Sequence, residues 1–194
     1  MIIIATNNQH KVDEFKKILP NYNIVSLKEM NIDIDIEENG KTFMDNAKIK
    51  ARAIKEITKY PVVSDDSGII IDALPDMLGI YSARFMEGYS NFEKNKKILE
   101  LMKDVPFEKR TARFVSAVCY IDNNNVEYEC LGIVEGKISD VVSKEEGFGY
   151  DPIFIPDGYN QTFAEIPDIK NKISHRAKSL EKLKILLEGN YENK

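Results

Sequence analysis

Cysteine and histidine are scarce in this 194-residue chain, with two of each. Cys119 and Cys130 fall in strand-like segments on either side of Asp122-Asn123-Asn124-Asn125. A hairpin centred on Asn123 and Asn124 sets Cys119 opposite Tyr128 and disfavours a cross-strand disulfide. Two small buried hydrophobes in a reducing cytosol are the expectation. The two His and two Cys are too far apart in sequence for zinc spacing. No apolar run approaches membrane-spanning length, and Met1-Ile2-Ile3-Ile4-Ala5 is too short and lacks the basic leader of a signal peptide. No excess of positive charge exists either. The net charge of −5 argues against a broad nucleic-acid-binding surface. No GxxxxGK[ST] phosphate loop occurs, and there is no low-complexity region or internal repeat.

What remains is the composition of a globular protein, 43% hydrophobic and 30% charged, long enough to bury a core without cross-links. Its most unusual stretch is Ser64-Asp65-Asp66-Ser67-Gly68, set between Pro61-Val62-Val63 and Ile69-Ile70-Ile71. The flanking runs read as buried strands and the middle as a tight break. Two adjacent carboxylates resist burial unless something neutralises them. The break is either a surface β-turn, for which Asp, Ser and Gly are ordinary residues, or the edge of a cleft holding a hard cation.

Ile2-Ile3-Ile4 predicts a buried strand that runs through the polar stretch Thr6-Asn7-Asn8 into a helix starting at Lys11 and stopped by Pro20. Free backbone N–H groups at such a helix start suit an anion. Lys11 opposes the helix dipole there, a conflict that a phosphate would relieve. Otherwise Lys11 is a solvated residue and Thr6 or Asn8 caps the helix. Ile32, Ile34 and Ile36 alternate with acidic residues, the pattern of a strand with one wet face. Thr42 is the expected N-cap of a helix reaching Thr58, with Phe43, Ala47, Lys50, Ile54 and Ile57 turned inward. Lys50 either snorkels from that stripe or meets an anion, and the second fits the helix that leads into Asp65-Asp66.

Further along, Arg84 stands among small and apolar neighbours as a candidate substrate-binding cation. Ser90 and Glu93 match a capping box for a helix to Lys103. Thr111–Ile121 and Val126–Val134 predict paired strands, with another from Lys137 to Val142. Gly147-Phe148-Gly149-Tyr150-Asp151 places an aromatic between two glycines and beside a carboxylate. This is either a turn before a buried strand or a backbone that a nucleobase approaches. Pro167 is expected to stop a capped turn over Thr162–Glu165. Lys170 precedes Ser174, an N-cap for a last helix whose first turn holds His175 and Arg176. Hard-metal carboxylates, inward cations and an aromatic–Asp element together describe a triphosphate site with Mg²⁺, where water attacks directly.

With these motifs assembled, the chain resembles the inosine triphosphatase family, the house-cleaning pyrophosphatases of non-canonical purine nucleoside triphosphates. The resemblance spans nearly the whole chain and rests on five motifs in order. These are Ala5-Thr6-Asn7-Asn8-Gln9-His10-Lys11, Glu38 ahead of Asn46-Ala47-Lys48-Ile49-Lys50-Ala51-Arg52, Ser64–Gly68, Gly147–Phe154 and Ser174-His175-Arg176. It implies a single α/β domain with two lobes, an elongated mixed sheet flanked by helices, and a cleft between the lobes. A cytoplasmic homodimer is implied too, with no membrane or nucleic-acid partner. The implied activity is hydrolysis of ITP, dITP or XTP to the monophosphate and pyrophosphate, with Mg²⁺ or Mn²⁺.

Carried over by position, the resemblance gives Thr6, Asn8, Lys11 and Lys50 to the phosphates, with Ser67 beside them. Glu38 and Asp66 would hold the metal, with Glu37 as the adjoining alternative, and Asp66 would activate the water. Phe148 would stack on the base, with Gly149, Tyr150 and Asp151 around it. Lys170, His175 and Arg176 would read its keto edge. Asn7 departs from the glycine usual in that loop and is a candidate for substrate contact or for a positive-φ backbone. Asp65 is expected to support its neighbour. A pyrophosphatase for modified or pyrimidine nucleotides, or a regulator that binds nucleotide without turnover, are the alternatives.

Overall fold

The computed structural model describes residues 1–189. Among them a mixed six-stranded sheet is accompanied by five α-helices, in the strand order β2-β1-β3-β4-β5-β6. The strands are β1 (Ile2–Ile4), β2 (Ile24–Ser26), β3 (Val62–Ile71), β4 (Thr111–Ile121), β5 (Glu127–Ile138) and β6 (Phe154–Pro156). The helices are α1 (Gln9–Ile18), α2 (Phe43–Ile57), α3 (Asn91–Leu101), α4 (Pro167–Ile173) and α5 (His175–Leu187). β1 pairs in parallel with β2 and β3, whereas β5 and β6 are antiparallel. No helix among the described residues is long and apolar enough to cross a membrane.

Contacts divide the chain into two compact units. Among the described residues the first comprises 1–66, 116–132 and 176–189; the second comprises 67–115 and 133–175.

In the first unit β1 is apolar throughout because both its faces are covered. Ile2 and Ile4 pack with Val12 and Phe15 of α1 and Leu180 and Leu183 of α5. Ile3, one residue out of phase, packs with Ala47, Ala51 and Ile54 of α2. Each such buried Ile contributes roughly 1.5–3 kcal/mol. Asn8 caps α1 by accepting the Lys11 N–H, so this helix begins two residues before Lys11. Thr42 and Asp45 form a reciprocal capping box on α2. The α2 core stripe ends at Ile54, since Ile57 is 56% exposed. Lys50 does lie in the stripe, only 9% exposed.

In the second unit Ile98 of α3, Phe114 of β4, Ile138 of β5, Phe154 and Phe163 form the core. Phe114 meets Phe154 edge to face at 4.7 Å between centroids. Ser90 and Glu93 close the expected capping box on α3, which ends at Leu101 instead of Lys103.

Several local expectations are corrected. Ser64–Gly68 is not a break but the middle of the continuous ten-residue strand β3. The polar residues tolerate this because neighbouring elements supply partners that the sequence pattern does not show. Residues 32–36 keep their burial alternation and Ile32, Ile34 and Ile36 pack on the α2 core, yet no ladder forms and no strand is present. The segment from Lys137 is no separate strand, because β5 runs on to Ile138. Pro167 starts α4 instead of stopping a turn, in the first-turn position where its missing N–H costs nothing. The hairpin turn is centred on Asn124, since Asp122 N–H donates to the Val126 carbonyl and Asn125 takes φ +63°. Both cysteines are nevertheless free and buried.

Candidate active site

The first unit gathers charge around β3. Side chains alternate along a strand, so Asp65 and Asp66 point to opposite faces. Asp65 is 1% exposed and is surrounded by donors. Lys11 reaches back from the first turn of α1 to place Nζ 2.8 Å from Asp65 Oδ1 and 3.2 Å from its carbonyl oxygen. Arg176, at the start of α5, donates from Nη2 to the same carboxylate at 3.1 Å, and its Nη1 is engaged by Glu14 of α1. Ser116 of β4 donates to Asp65 Oδ2 at 3.2 Å and lies 2.9 Å from Ser179 of α5. Burial alone would raise the Asp65 carboxyl, but Arg176 and then Lys11 more than offset it and hold it far below the usual range. Burial lowers the Lys11 ammonium, with Arg176 and Lys50 adding repulsion that Asp65 only partly counters. Cations crowded in this way favour an incoming anion.

Asp66, half-buried on the other face, accepts from Asn46 Nδ2 at 3.0 Å. Asn46 in turn accepts the Gly40 N–H through Oδ1 at 2.9 Å. One turn further along α2, Lys50 Nζ lies 2.7 Å from Glu38 Oε2 and 3.8 Å from Asp66 Oδ1. The anion that the sequence pattern placed beside Lys50 is thus supplied by the protein's own carboxylates in this state. Burial pushes the Asp66 carboxyl up, against the pull of Lys50, Lys11 and the Asn46 amide. Glu37 is exposed, while Glu38 is half-buried on Lys50. Among the described residues no three His, Cys, Asp or Glu side chains form a metal-holding group by themselves. Magnesium commonly takes one or two protein carboxylates and completes its shell with substrate phosphates and water. The pair Glu38 and Asp66 fits that pattern.

Thr6 Oγ1 accepts the Asn8 N–H at 3.2 Å, which tightens the loop leading into α1. Asn7 is exposed and is not among the positive-φ residues, so its side chain does not serve to force that backbone. Ser67 follows Asp66 on β3, half-buried. Asn46 and Glu14 carry part of this arrangement and were not singled out from the sequence. The visible signal for Asn46 is its spacing of four from Lys50, which puts both on one helix face.

The second unit holds the aromatic set. Lys170 of α4 places Nζ 2.6 Å from Asp151 Oδ2, both nearly buried, and 5.6 Å from the centre of the Phe148 ring. Tyr150 is a core residue whose hydroxyl donates to the Ser82 carbonyl at 2.6 Å, whereas Phe148 remains half-exposed. Gly147 could not take a side chain, since a Cβ would lie 2.6 Å from Pro152 Cγ; Gly149 sits at φ +56°. His175, 6% exposed, stacks on Phe114 at 4.7 Å and 11°. Arg84 is exposed in the turn after the short 3₁₀ segment Gly79–Tyr81.

Comparison with known proteins agrees with the family resemblance drawn from the five motifs. Residues 2–186 match the Ham1 family. A dITP/XTP pyrophosphatase of Dictyoglomus thermophilum is 47% identical, over 97% of this chain and 95% of the relative. One from Clostridium perfringens is 44% identical, over 96% of this chain and 97% of the relative. The solved structure of the Staphylococcus aureus Ham1 protein superposes with a TM-score of 0.87 at 36% identity, covering 98% of this chain and 99% of that one.

Proposed function

Since the chain belongs to the Ham1 family, we propose that it hydrolyses non-canonical purine nucleoside triphosphates, of the dITP and XTP class, to the monophosphate and pyrophosphate. The observation that carries this reading is the Asn46–Asp66–Lys50–Glu38 constellation: two carboxylates share one buried cation, and one of them is oriented by a buried amide.

The chain's own groups divide the work. Lys11 and Lys50, with the Thr6–Asn8 loop at the start of α1, bind phosphate oxygens; Ser67 and Asn7 lie in the same stretches of chain. Arrival of the phosphates draws Lys50 from Glu38 and Asp66 and frees those carboxylates. Asp66 then accepts a proton from the attacking water, and its raised affinity for protons suits that task. Glu38 and Asp66, with Glu37 adjoining, would hold Mg²⁺ or Mn²⁺, which supplies charge neutralisation along the phosphates. Asp65 holds Lys11 in place, and Arg176, paired with the same Asp65 oxygen and with Glu14, braces that carboxylate instead of reading the keto edge. In the second unit Phe148 offers a face for the purine, with Gly149, Tyr150 and Asp151 shaping its loop. Lys170 and His175 supply donors to a keto oxygen; a 6-amino group would leave donors opposed, which rejects ATP. Arg84, exposed in this unit, is a further candidate for substrate contact. We take the protein to act as a cytosolic homodimer of single domains with two lobes; its two buried free thiols suit a reducing compartment.

The test is pyrophosphate release from XTP, dITP, ATP and dTTP at fixed Mg²⁺. XTP and dITP are expected to exceed ATP and dTTP in kcat/KM by at least about a hundredfold. Asp66→Asn should fold, bind XTP and release no pyrophosphate. Preferential turnover of dTTP would overturn the substrate class, and full activity of Asp66→Asn would overturn the mechanism. Binding of XTP without turnover by the wild type would leave a regulator.

A further inference from the structure

The second unit contains two asparagines that the proposed chemistry does not use. Asn91 and Asn95 lie one turn apart on α3, a spacing that puts both on one helix face. Asn91 Nδ2 donates to the Gly147 carbonyl at 3.3 Å, and Asn95 Nδ2 donates to the Gly149 carbonyl at 3.0 Å. The two amides therefore grip the backbone immediately before and immediately after Phe148. We propose that Asn95, assisted by Asn91, is a positioning residue that sets the presentation of the Phe148 ring to the purine. The inference rests on the reading of Phe148 as the stacking platform.

Three features support it. Glycines flank Phe148, and glycine leaves a loop more conformational freedom than any other residue, so a restraint from outside is needed. Both glycines are demanded locally, by the Pro152 contact at position 147 and the positive φ at 149, so the loop cannot be stiffened by substitution there. Asn95 is also fully buried, yet its Oδ1 has no hydrogen-bond partner among the described residues. An orphaned buried acceptor offsets most of what one hydrogen bond contributes to stability. The direction that the amide imposes on the Gly149 carbonyl is what it supplies instead. Gly149 precedes Tyr150, whose hydroxyl is tied to Ser82. The Asn95 contact thus restrains the residue that follows the ring, beside Lys170 over the ring and the Asp151 N–H on the Phe148 carbonyl, and the tyrosine anchor comes next.

The experiment compares Asn95→Ala, Asn91→Ala, Phe148→Ala and Asn95→Ala/Phe148→Ala. It measures kcat and KM for XTP, the inhibition constant of inorganic triphosphate, and Tm. Asn95→Ala is expected to raise the KM for XTP by about five- to tenfold, as the loss of one directed hydrogen bond allows, with a smaller change in kcat. The inhibition constant of inorganic triphosphate, which has no base, stays within about twofold. Asn91→Ala, at an exposed and longer contact, raises KM by about two- to threefold and serves as the second variant if Asn95→Ala does not fold. In the Phe148→Ala background, Asn95→Ala adds nothing further, because the two act through one contact. If Phe148→Ala raises KM while neither asparagine variant does, the positioning inference falls and the platform reading stands. If KM for XTP and the inorganic triphosphate constant rise together, Asn95 is merely structural and the inference is overturned. If Phe148→Ala leaves KM unchanged, the platform reading itself fails.

Discussion

Replacing Asp65 by Asn keeps the shape of the side chain and removes its charge from between two cations. Its carboxylate is 1% exposed, 2.8 Å from Lys11 Nζ and 3.1 Å from Arg176 Nη2. A hydrogen bond to a charged partner contributes about 1.5–3 kcal/mol, and removing one member of a buried ion pair costs about 3–5 kcal/mol. Asparagine can still accept one bond, so the expected loss is about 3–5 kcal/mol at pH 7, and not the full sum of both contacts. With a urea dependence of about 2 kcal/mol per molar, the unfolding midpoint falls by about 2 M. The pH dependence follows from the depressed folded-state affinity of Asp65 for protons. A group whose pKa is lower folded than unfolded stabilises the protein above its unfolded value and loses that contribution as pH falls toward the folded value. The gap between wild type and Asp65→Asn should therefore be full at pH 6 and shrink steadily below about pH 4. Arg176→Met in the Asp65→Asn background removes a buried cation that has already lost one of its two carboxylate partners and keeps Glu14, so the double variant should lose at least about 2 kcal/mol less than the sum of the singles. Urea titrations followed by circular dichroism at several pH values measure all of this. A midpoint drop below about 0.5 M, equivalent to about 1 kcal/mol, or a gap that does not narrow in acid, would refute the reasoning.

Other outcomes are expected. Asn46→Ala removes the donor to Asp66 and leaves the Gly40 N–H without its acceptor; kcat for XTP should fall by about tenfold or more, consistent with roughly 1–3 kcal/mol, and an unchanged kcat would exclude Asn46 from the site. Burial pushes the Cys119 thiol up to about 12 and the Cys130 thiol up to about 11. Neither should react with iodoacetamide at pH 8 in the native protein, while both should in urea, as mass spectrometry will show. Stripping divalent ions with EDTA should abolish pyrophosphate release while leaving the far-ultraviolet spectrum unchanged. Mg²⁺ should restore turnover, and turnover persisting in EDTA would remove the metal from the mechanism.

Features with a local cause were legible along the chain. The N-cap at Thr42 and the capping box at Ser90 rest on residues within one turn and formed as read, and Asp45 completes a box at Thr42 as well. Both ends of β4 were read correctly, because its apolar pattern and flanking turn lie within a few residues. Lys50 stood out as a cation in an apolar helix stripe, which is where the structure has it. Local signals misled where a distant partner decided the outcome. Ser64–Gly68 has turn composition, yet it continues a strand that pairs with β1 at Val62 and Val63 and neighbours β4 in the sheet, and donors from distant elements meet its two carboxylates. Residues 32–36 have strand alternation, yet no neighbouring strand pairs with them.

The sequence by itself determined the family, through five ordered motifs, and with it the residue types available for phosphate, metal and base. Only the tertiary structure decided which charges neutralise which. Arg176 stands 111 positions from Asp65 and 162 from Glu14, and Asn46 stands 20 from Asp66. No helical or strand period spans such separations, because these contacts exist only after the sheet and its helices have packed. The adjacent aspartates show the consequence. They are chemically identical and neighbours in the chain, yet strand alternation sends them to opposite faces. There one meets two cations and is locked as a charge, and the other meets burial, an amide and a shared lysine.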